Sequence, residues 1–188
     1  MNIVVSNPWL MVVDDLLTKK ECADIIKIGE KGFRPSDSFK GDRYKNIRTS
    51  GHTFIKEKDY NKSVQKLCDI TSLITKTPEE NAENGCIIKY LPGEEYKAHY
   101  DYFVNSPHED QLDEKYEKSG DRIFSVIFYL NDAYLGGTTD FPKINLKVHP
   151  KPGRALVFRN YVDGKPNALS LHAGRPVEKG VKYIVTKW

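Results

Sequence analysis

From Gly85 onward the apolar positions fall into short runs separated by turn-forming residues. The segments "CIIKYL", "YKAHYDYF", "RIFSVIFYLN", "INLKVHP", "RALVFRN", "ALSLHAG" and "KYIVTKW" are rich in β-branched and aromatic residues. Runs of this kind, bounded by Gly, Pro, Asn and Asp, read as strands. No helical pattern intervenes between them, so they point to a sandwich or barrel and not to a parallel α/β sheet. One stretch breaks the series: residues 104–121, "VNSPHEDQLDEKYEKSGD", are mostly polar. That is long for a connection in a compact domain. Such a loop serves as a lid or binding loop, or is a solvated insertion.

Before Gly85 the texture differs. "NPWLMVVDDLL" reads as a buried strand that leads into a helix. Thr18 and Glu21 have the spacing of a capping box, Cys22, Ile25, Ile26 and Ile28 share one helical face, and Gly32 offers a stop. A second helix is expected over about 59–75, where Val64, Leu67, Cys68 and Leu73 or Ile74 repeat near the helical period. Pro78 and Gly85 close that region.

Composition narrows the class. A chain of 188 residues, 39% hydrophobic and 29% charged, is sized and composed for one globular domain. The net charge of +3 comes from lysines spread along the chain, which gives no argument for a nucleic-acid partner. Cys22, Cys68 and Cys86 lie far apart without CxxC spacing, as suits thiols in a reducing compartment. The first residues lack a basic start, Pro8 interrupts their apolar run, and no apolar stretch approaches the ~20 residues that cross a bilayer. The expectation is a cytoplasmic protein that makes no membrane contact.

Two residues raise the question of chemistry. His99 and Asp101 stand two positions apart in "YKAHYDYF". On a strand both would project from one face, with Tyr100 and Tyr102 on the other. An imidazole and a carboxylate that converge supply two ligands of a 2-His-1-carboxylate site; the same pair also suits the solvent side of a half-buried strand. A third ligand has to come from His52, after "RTSG", His108 in the polar loop, His149 before Pro150, or His172 at the end of "ALSLH". Lys182 opens a strand that is otherwise apolar. Either it snorkels outward, or it points inward and needs an anion.

The segments "ENAENGCIIKYLPGEEYKAHYDYF", "DRIFSVIFYLND", "GGTTDFP", "VHPKPGRALVF" and "SLHAGRPVEKGVKYIVTKW" follow one another in a familiar order. Together with "RTS" at 48–50 and the capped helix from Thr18, they resemble the prolyl 4-hydroxylase family of 2-oxoglutarate- and Fe(II)-dependent dioxygenases. The resemblance implies an α+β, mainly β fold: a double-stranded β-helix (jelly-roll) core over about 85–188 with N-terminal supporting helices over about 1–84, in a single domain spanning 1–188. It places the iron ligands at His99, Asp101 and His172, and it pairs Lys182 with the distal carboxylate of 2-oxoglutarate. Thr139, Tyr90 and Tyr129 match further cosubstrate contacts. Thr138 stands where the family usually has glutamate. Gly136 and Gly137 form a tight turn. Arg122, Tyr102 and Trp188 fall at positions associated with substrate, with Tyr100 packing and Phe103 bordering the entrance.

The implied reaction is hydroxylation of peptidyl proline coupled to decarboxylation of 2-oxoglutarate to succinate and CO2. It requires Fe(II) and O2, with ascorbate as a reductant, and its partner is a proline-containing peptide or protein. The alternatives keep the chemistry but act on free proline, another amino-acid side chain or a nucleobase. A non-catalytic β-barrel binding module would be expected to lack part of the triad or the basic residue, and all four residues are present. Oligomeric state is left open.

Overall fold

The computed structural model describes residues 2–5, 9–36, 47–103 and 120–188. The expected lid at 104–121 and His108 therefore lie almost wholly or wholly outside the described residues. The elements are β1 (Asn2–Val5), β2 (Leu10–Val13), α1 (Lys19–Gly29), β3 (Arg34–Pro35), β4 (Gly51–Phe54), α2 (Lys62–Thr75), β5 (Cys86–Tyr90), β6 (Tyr96–His99), β7 (Phe124–Tyr129), β8 (Tyr134–Gly136), β9 (Thr139–Phe141), β10 (Leu146–Val148), β11 (Ala155–Arg159), β12 (Tyr161–Val162), β13 (Lys165–Pro166), β14 (His172–Gly174), β15 (Val177–Gly180) and β16 (Lys182–Lys187). An eight-stranded sheet runs β1-β2-β11-β7-β16-β5-β4-β3, and a four-stranded sheet runs β10-β9-β14-β6. This is a jelly roll, mainly β, and among the described residues the N-terminal part supplies two α-helices. That part also contributes β1 to β4 to the larger sheet.

The central strands of the larger sheet are apolar on both faces because both are covered. Ile87, Val126, Phe128, Val157 and Val185 point to one side and share a core with Ile25 of α1 and Leu67 of α2. Ile88, Ile127, Tyr129, Leu156, Phe158 and Ile184 point to the other side, where they meet Phe141 and Val148 of the smaller sheet. The alternation sorts two buried lysines of β16. Lys187 reaches Glu79 at 2.5 Å and neighbours Cys68, a residue of the helical core, whereas Lys182 faces the inter-sheet side. No helix among the described residues is long and apolar enough to cross a membrane.

Local signals set the helix ends. Glu21 N–H donates to Thr18 Oγ1 at 3.2 Å, and Thr18 N–H donates to Glu21 Oε2 at 2.7 Å, which closes the capping box. α1 stops at Gly29, before the expected Gly32. A Cβ at Gly29 would come within 2.7 Å of Phe33 and 2.9 Å of Ile87, so glycine lets the end of α1 lie close against β5. α2 starts at Lys62 because the Asn61 carboxamide accepts from the Ser63 and Val64 amides, three residues later than the apolar repeat suggested.

Two strand expectations need correction. "ALSLH" is not a continuous strand: Ala168–Ser170 forms a 3-10 turn in which Asn167 accepts from Leu169 N–H, and β14 begins at His172 itself. β6 ends at His99, so Asp101 lies on a bend and does not occupy the second same-face position of a strand. Arg122 likewise precedes its strand, which starts at Phe124.

Candidate active site

β6 and β14 pair antiparallel with His99 directly opposite His172. The bend after β6 then swings the Asp101 carboxylate between the two rings. His99 Nε2 lies 3.4 Å from Asp101 Oδ1, and His172 Nε2 lies 3.7 Å from Asp101 Oδ2. All three residues are buried, and one donor atom from each falls within 4.8 Å of the others. Among the described residues this is the one such group of metal-capable side chains.

Outer partners fix each donor. His99 Nδ1 sits 2.8 Å from Lys97 O, and His172 Nδ1 sits 2.9 Å from Ser170 O. A carbonyl accepts only, so each Nδ1 carries the proton and each Nε2 presents its lone pair inward. Ser125 Oγ donates to Asp101 Oδ2 at 2.5 Å, and Asn160 Nδ2 donates to Ser125 Oγ at 2.9 Å. Tyr96 stacks on His99 with ring centroids 3.4 Å apart, while Phe158 meets His172 edge-on at 4.8 Å.

Electrostatics agree with that geometry. Burial works to raise the Asp101 carboxyl, but the imidazoles of His172 and His99 and the Arg122 guanidinium outweigh it and hold the group well below the usual carboxylate range. Burial and the neighbouring His99 bring His172 down to about 4. A neutral imidazole beside an ionised carboxylate is the state a divalent ion requires. Two nitrogens and one oxygen on one side also leave open positions, the pattern of non-haem Fe(II) oxygenases.

The triad opens on a cavity of about 180 Å³ between the sheets. Lys182 lines it at 1% exposure, so the inward alternative holds. Its Nζ donates to Gly137 O at 2.7 Å and stands 5.0 Å from the Tyr90 ring centroid. Gly137 takes φ +63 to bring that carbonyl round, as the expected tight turn requires. Burial lowers the Lys182 ammonium to about 7. Thr139 also lines the cavity; Tyr129, fully buried behind it, donates to Thr139 Oγ1 at 2.7 Å. Tyr90 lines the cavity as well.

At the rim the Arg122 guanidinium is held by Glu83 through Nε at 2.5 Å and Nη2 at 2.9 Å. It stacks over Trp188 at 3.8 Å and faces Phe103 at 4.6 Å. Tyr102 is placed otherwise than its neighbours: it is 6% exposed, stacks on Tyr100 at 4.7 Å, and is not among the residues that line the cavity. Tyr100 and Phe103 form the wall there. His52 is buried, and its Nδ1 lies 3.2 Å from Oγ of Ser36, which lines the cavity.

Comparison with known proteins fits this geometry. A family model described as the 2OG-Fe(II) oxygenase superfamily matches residues 86–188. Prolyl 4-hydroxylase 2 of Arabidopsis thaliana is 33% identical over 211 residues, an alignment that covers 98% of this chain and 68% of the plant protein. The chain belongs to the prolyl 4-hydroxylase family of 2-oxoglutarate/Fe(II) oxygenases. The oxygenase also shares its fold with two solved structures. The viral collagen prolyl hydroxylase of Paramecium Bursaria Chlorella virus-1, solved with 2OG, superposes with TM-score 0.72 at 24% identity, covering 98% of this chain and 97% of that one. A Pseudomonas putida prolyl-4-hydroxylase gives 0.67 at 17%, covering 95% and 90%. The protein is thus a 2-oxoglutarate-dependent dioxygenase, and Fe(II) and 2-oxoglutarate are its metal and cosubstrate.

Some site residues went unassigned in the sequence. Ser125 is the one polar residue inside "FSVIFY", and a lone serine in an apolar strand is a signal that it serves a buried partner. Tyr96 and Arg48 line the cavity, yet nothing in their spacing distinguished them.

Proposed function

We propose that this oxygenase hydroxylates proline within a peptide or protein, with 2-oxoglutarate decarboxylated to succinate and CO2. The observation that carries this reading is the aromatic and guanidinium rim beside the triad, formed by Arg122, Trp188 and Phe103 in a chain whose relatives are prolyl 4-hydroxylases. Such a rim offers flat apolar faces to a pyrrolidine ring and a fixed positive charge to peptide carbonyls.

In this reading His99, Asp101 and His172 hold the metal. Bound iron with 2-oxoglutarate supplies the oxidising chemistry and the protein supplies orientation and exclusion of water. Lys182 binds the distal carboxylate with the N–H donors that its bond to Gly137 O leaves over. That anion offsets a charge which burial alone disfavours. Tyr129 holds Thr139 in place so that the threonine hydroxyl proton is free to point at the same carboxylate, and Tyr90 closes the cosubstrate side. Ser125 and Asn160 stop the Asp101 carboxylate from rotating. Arg122 and Trp188 position the substrate; Tyr102 acts through Tyr100, which it backs.

The same reading takes residues 1–84 as support and 85–188 as the catalytic core of one domain. A cytoplasmic setting is supported by three free, buried cysteines. The test is decarboxylation of 2-oxoglutarate with Fe(II), measured with and without a proline-containing peptide. Stimulation by the peptide and gain of one oxygen on proline are expected. Turnover retained in full by both His99→Ala and His172→Ala would sink the site.

A further inference from the structure

Arg48 reaches the cavity from the segment that leads into β4, two strands from β16 and its Lys182. Its Nε donates to Ser50 Oγ at 3.2 Å, Ser50 Oγ lies 3.1 Å from Ser36 Oγ, and Ser36 Oγ lies 3.2 Å from His52 Nδ1. Ser36, Ser50 and His52 are all buried. Burial, helped by Arg48 and Arg34, lowers His52 to about 4, so its ring is neutral near pH 7. With Nδ1 as acceptor, Ser36 donates to His52, Ser50 to Ser36, and Arg48 Nε to Ser50. Arg48 Nη2 is a buried donor with no hydrogen-bond partner among the described residues.

Among the described residues no carboxylate pairs with it. The ionisable groups that act most on Arg48 are Cys86, Tyr90 and Tyr96, whose ring the guanidinium faces at 5.2 Å. Burial raises the Cys86 thiol and pushes both tyrosines up to about 12, so all three stay neutral. The other guanidinium of the cavity, Arg122, is taken by Glu83. A part-buried guanidinium with a buried, unpartnered N–H on a cavity wall favours an anion over a neutral group there.

We infer that Arg48 is the subsite for a carboxylate carried by the substrate, so that the oxygenase prefers proline next to an acidic side chain or a chain-terminal carboxylate. His52, Ser36 and Ser50 are positioning residues that aim the guanidinium. The inference rests on the proline reading above. The cosubstrate's distal carboxylate is matched by Lys182 and leaves Arg48 available.

Calorimetric titration with matched peptides tests this: proline preceded by Glu or by Gln, and proline at the end of the chain with a free or amidated carboxyl. The wild-type protein is expected to bind the charged member of at least one pair about tenfold more tightly, the size of a charge-assisted hydrogen bond. The pair that responds tells side chain from terminus. R48Q brings both members to parity, and His52→Ala narrows the difference. Parity already in the wild type, a preference that survives R48Q, or an R48Q protein whose 2-oxoglutarate affinity falls as far as its peptide affinity would each overturn the inference. Arg48-dependent binding of the charged peptide without oxygen added to proline would instead overturn the proline reading and leave the carboxylate site standing. Equal binding with efficient hydroxylation of neutral peptides would do the reverse.

Discussion

Ser125 Oγ donates to Asp101 Oδ2 at 2.5 Å and thereby couples the middle of β7 to the bend after β6. The carboxylate is held by a strand of the larger sheet while both histidines belong to the smaller one. Removing that bond leaves the ligands in place but lets the carboxylate rotate. Ser125→Ala is therefore expected to weaken divalent-metal binding roughly tenfold, within the range seen for outer-shell partners. Asp101→Ala should abolish it. Calorimetric titration of Mn(II) into the metal-free protein measures both. An unaltered affinity in Ser125→Ala would show that the bond does not orient the ligand.

Lys182 gives a pH dependence whose sign is fixed. Its ammonium is lowered to about 7, so below that value the free protein already carries the charge that a carboxylate needs. Above it, binding must first take up a proton. The 2-oxoglutarate Kd is expected to be flat below about pH 7 and to rise toward tenfold per pH unit above it. Titrations in buffers of different ionisation enthalpy should show proton uptake on the alkaline side. Lys182→Met keeps the volume, loses the charge, and should remove the dependence with a large drop in affinity.

Arg122 is part of the rim and also part of the fold. Glu83→Gln leaves a half-buried guanidinium with a neutral partner and is expected to cost about 2 kcal/mol, between the values for exposed and buried pairs. Chemical denaturation monitored by tryptophan fluorescence, in a Trp9→Phe background so that Trp188 alone reports, should show both the lost stability and the altered stack. The accompanying change is predicted in the peptide KM more than in the 2-oxoglutarate KM.

Acid should destabilise the metal-free protein before its carboxylates titrate. His52 and His172 are both lowered to about 4 in the folded state, while the unfolded chain binds those protons near 6.5. The unfolded state thus holds more protons throughout that window. Stability is complete above about pH 6.5 and falls as the pH drops toward 4. Urea midpoints across this range should decline, and His52→Gln should make the decline shallower.

Much of the fold is legible in the sequence. Apolar runs after Gly85 located the strands because both faces of the central sheet are covered, so burial overrides alternation. The capping box at Thr18 was legible because it is local. What failed was boundary chemistry. Asn167 pulls the backbone into a turn where the apolar count suggested a strand, and the chain bends at Asp101 where an i, i+2 argument kept it straight. The site residues legible in the sequence are those with motif spacing. Arg48 and Tyr96 depend on the isolated β-bridge between them, far apart in sequence, and no local pattern announces it. Tyr100 and Tyr102 exchanged their expected places because the strand had already ended before them.

The register that sets His99 opposite His172 has a consequence for the chain as a polymer. Any ion held there ties Asp101 to His172, closing a loop of about 70 residues that includes β7 to β13, much as a removable disulfide would. The unfolded chain, with no such site formed, would not share the constraint. The metal centre is then also a cross-link whose presence is set by ion supply, and the smaller sheet is the part of the molecule that it staples shut.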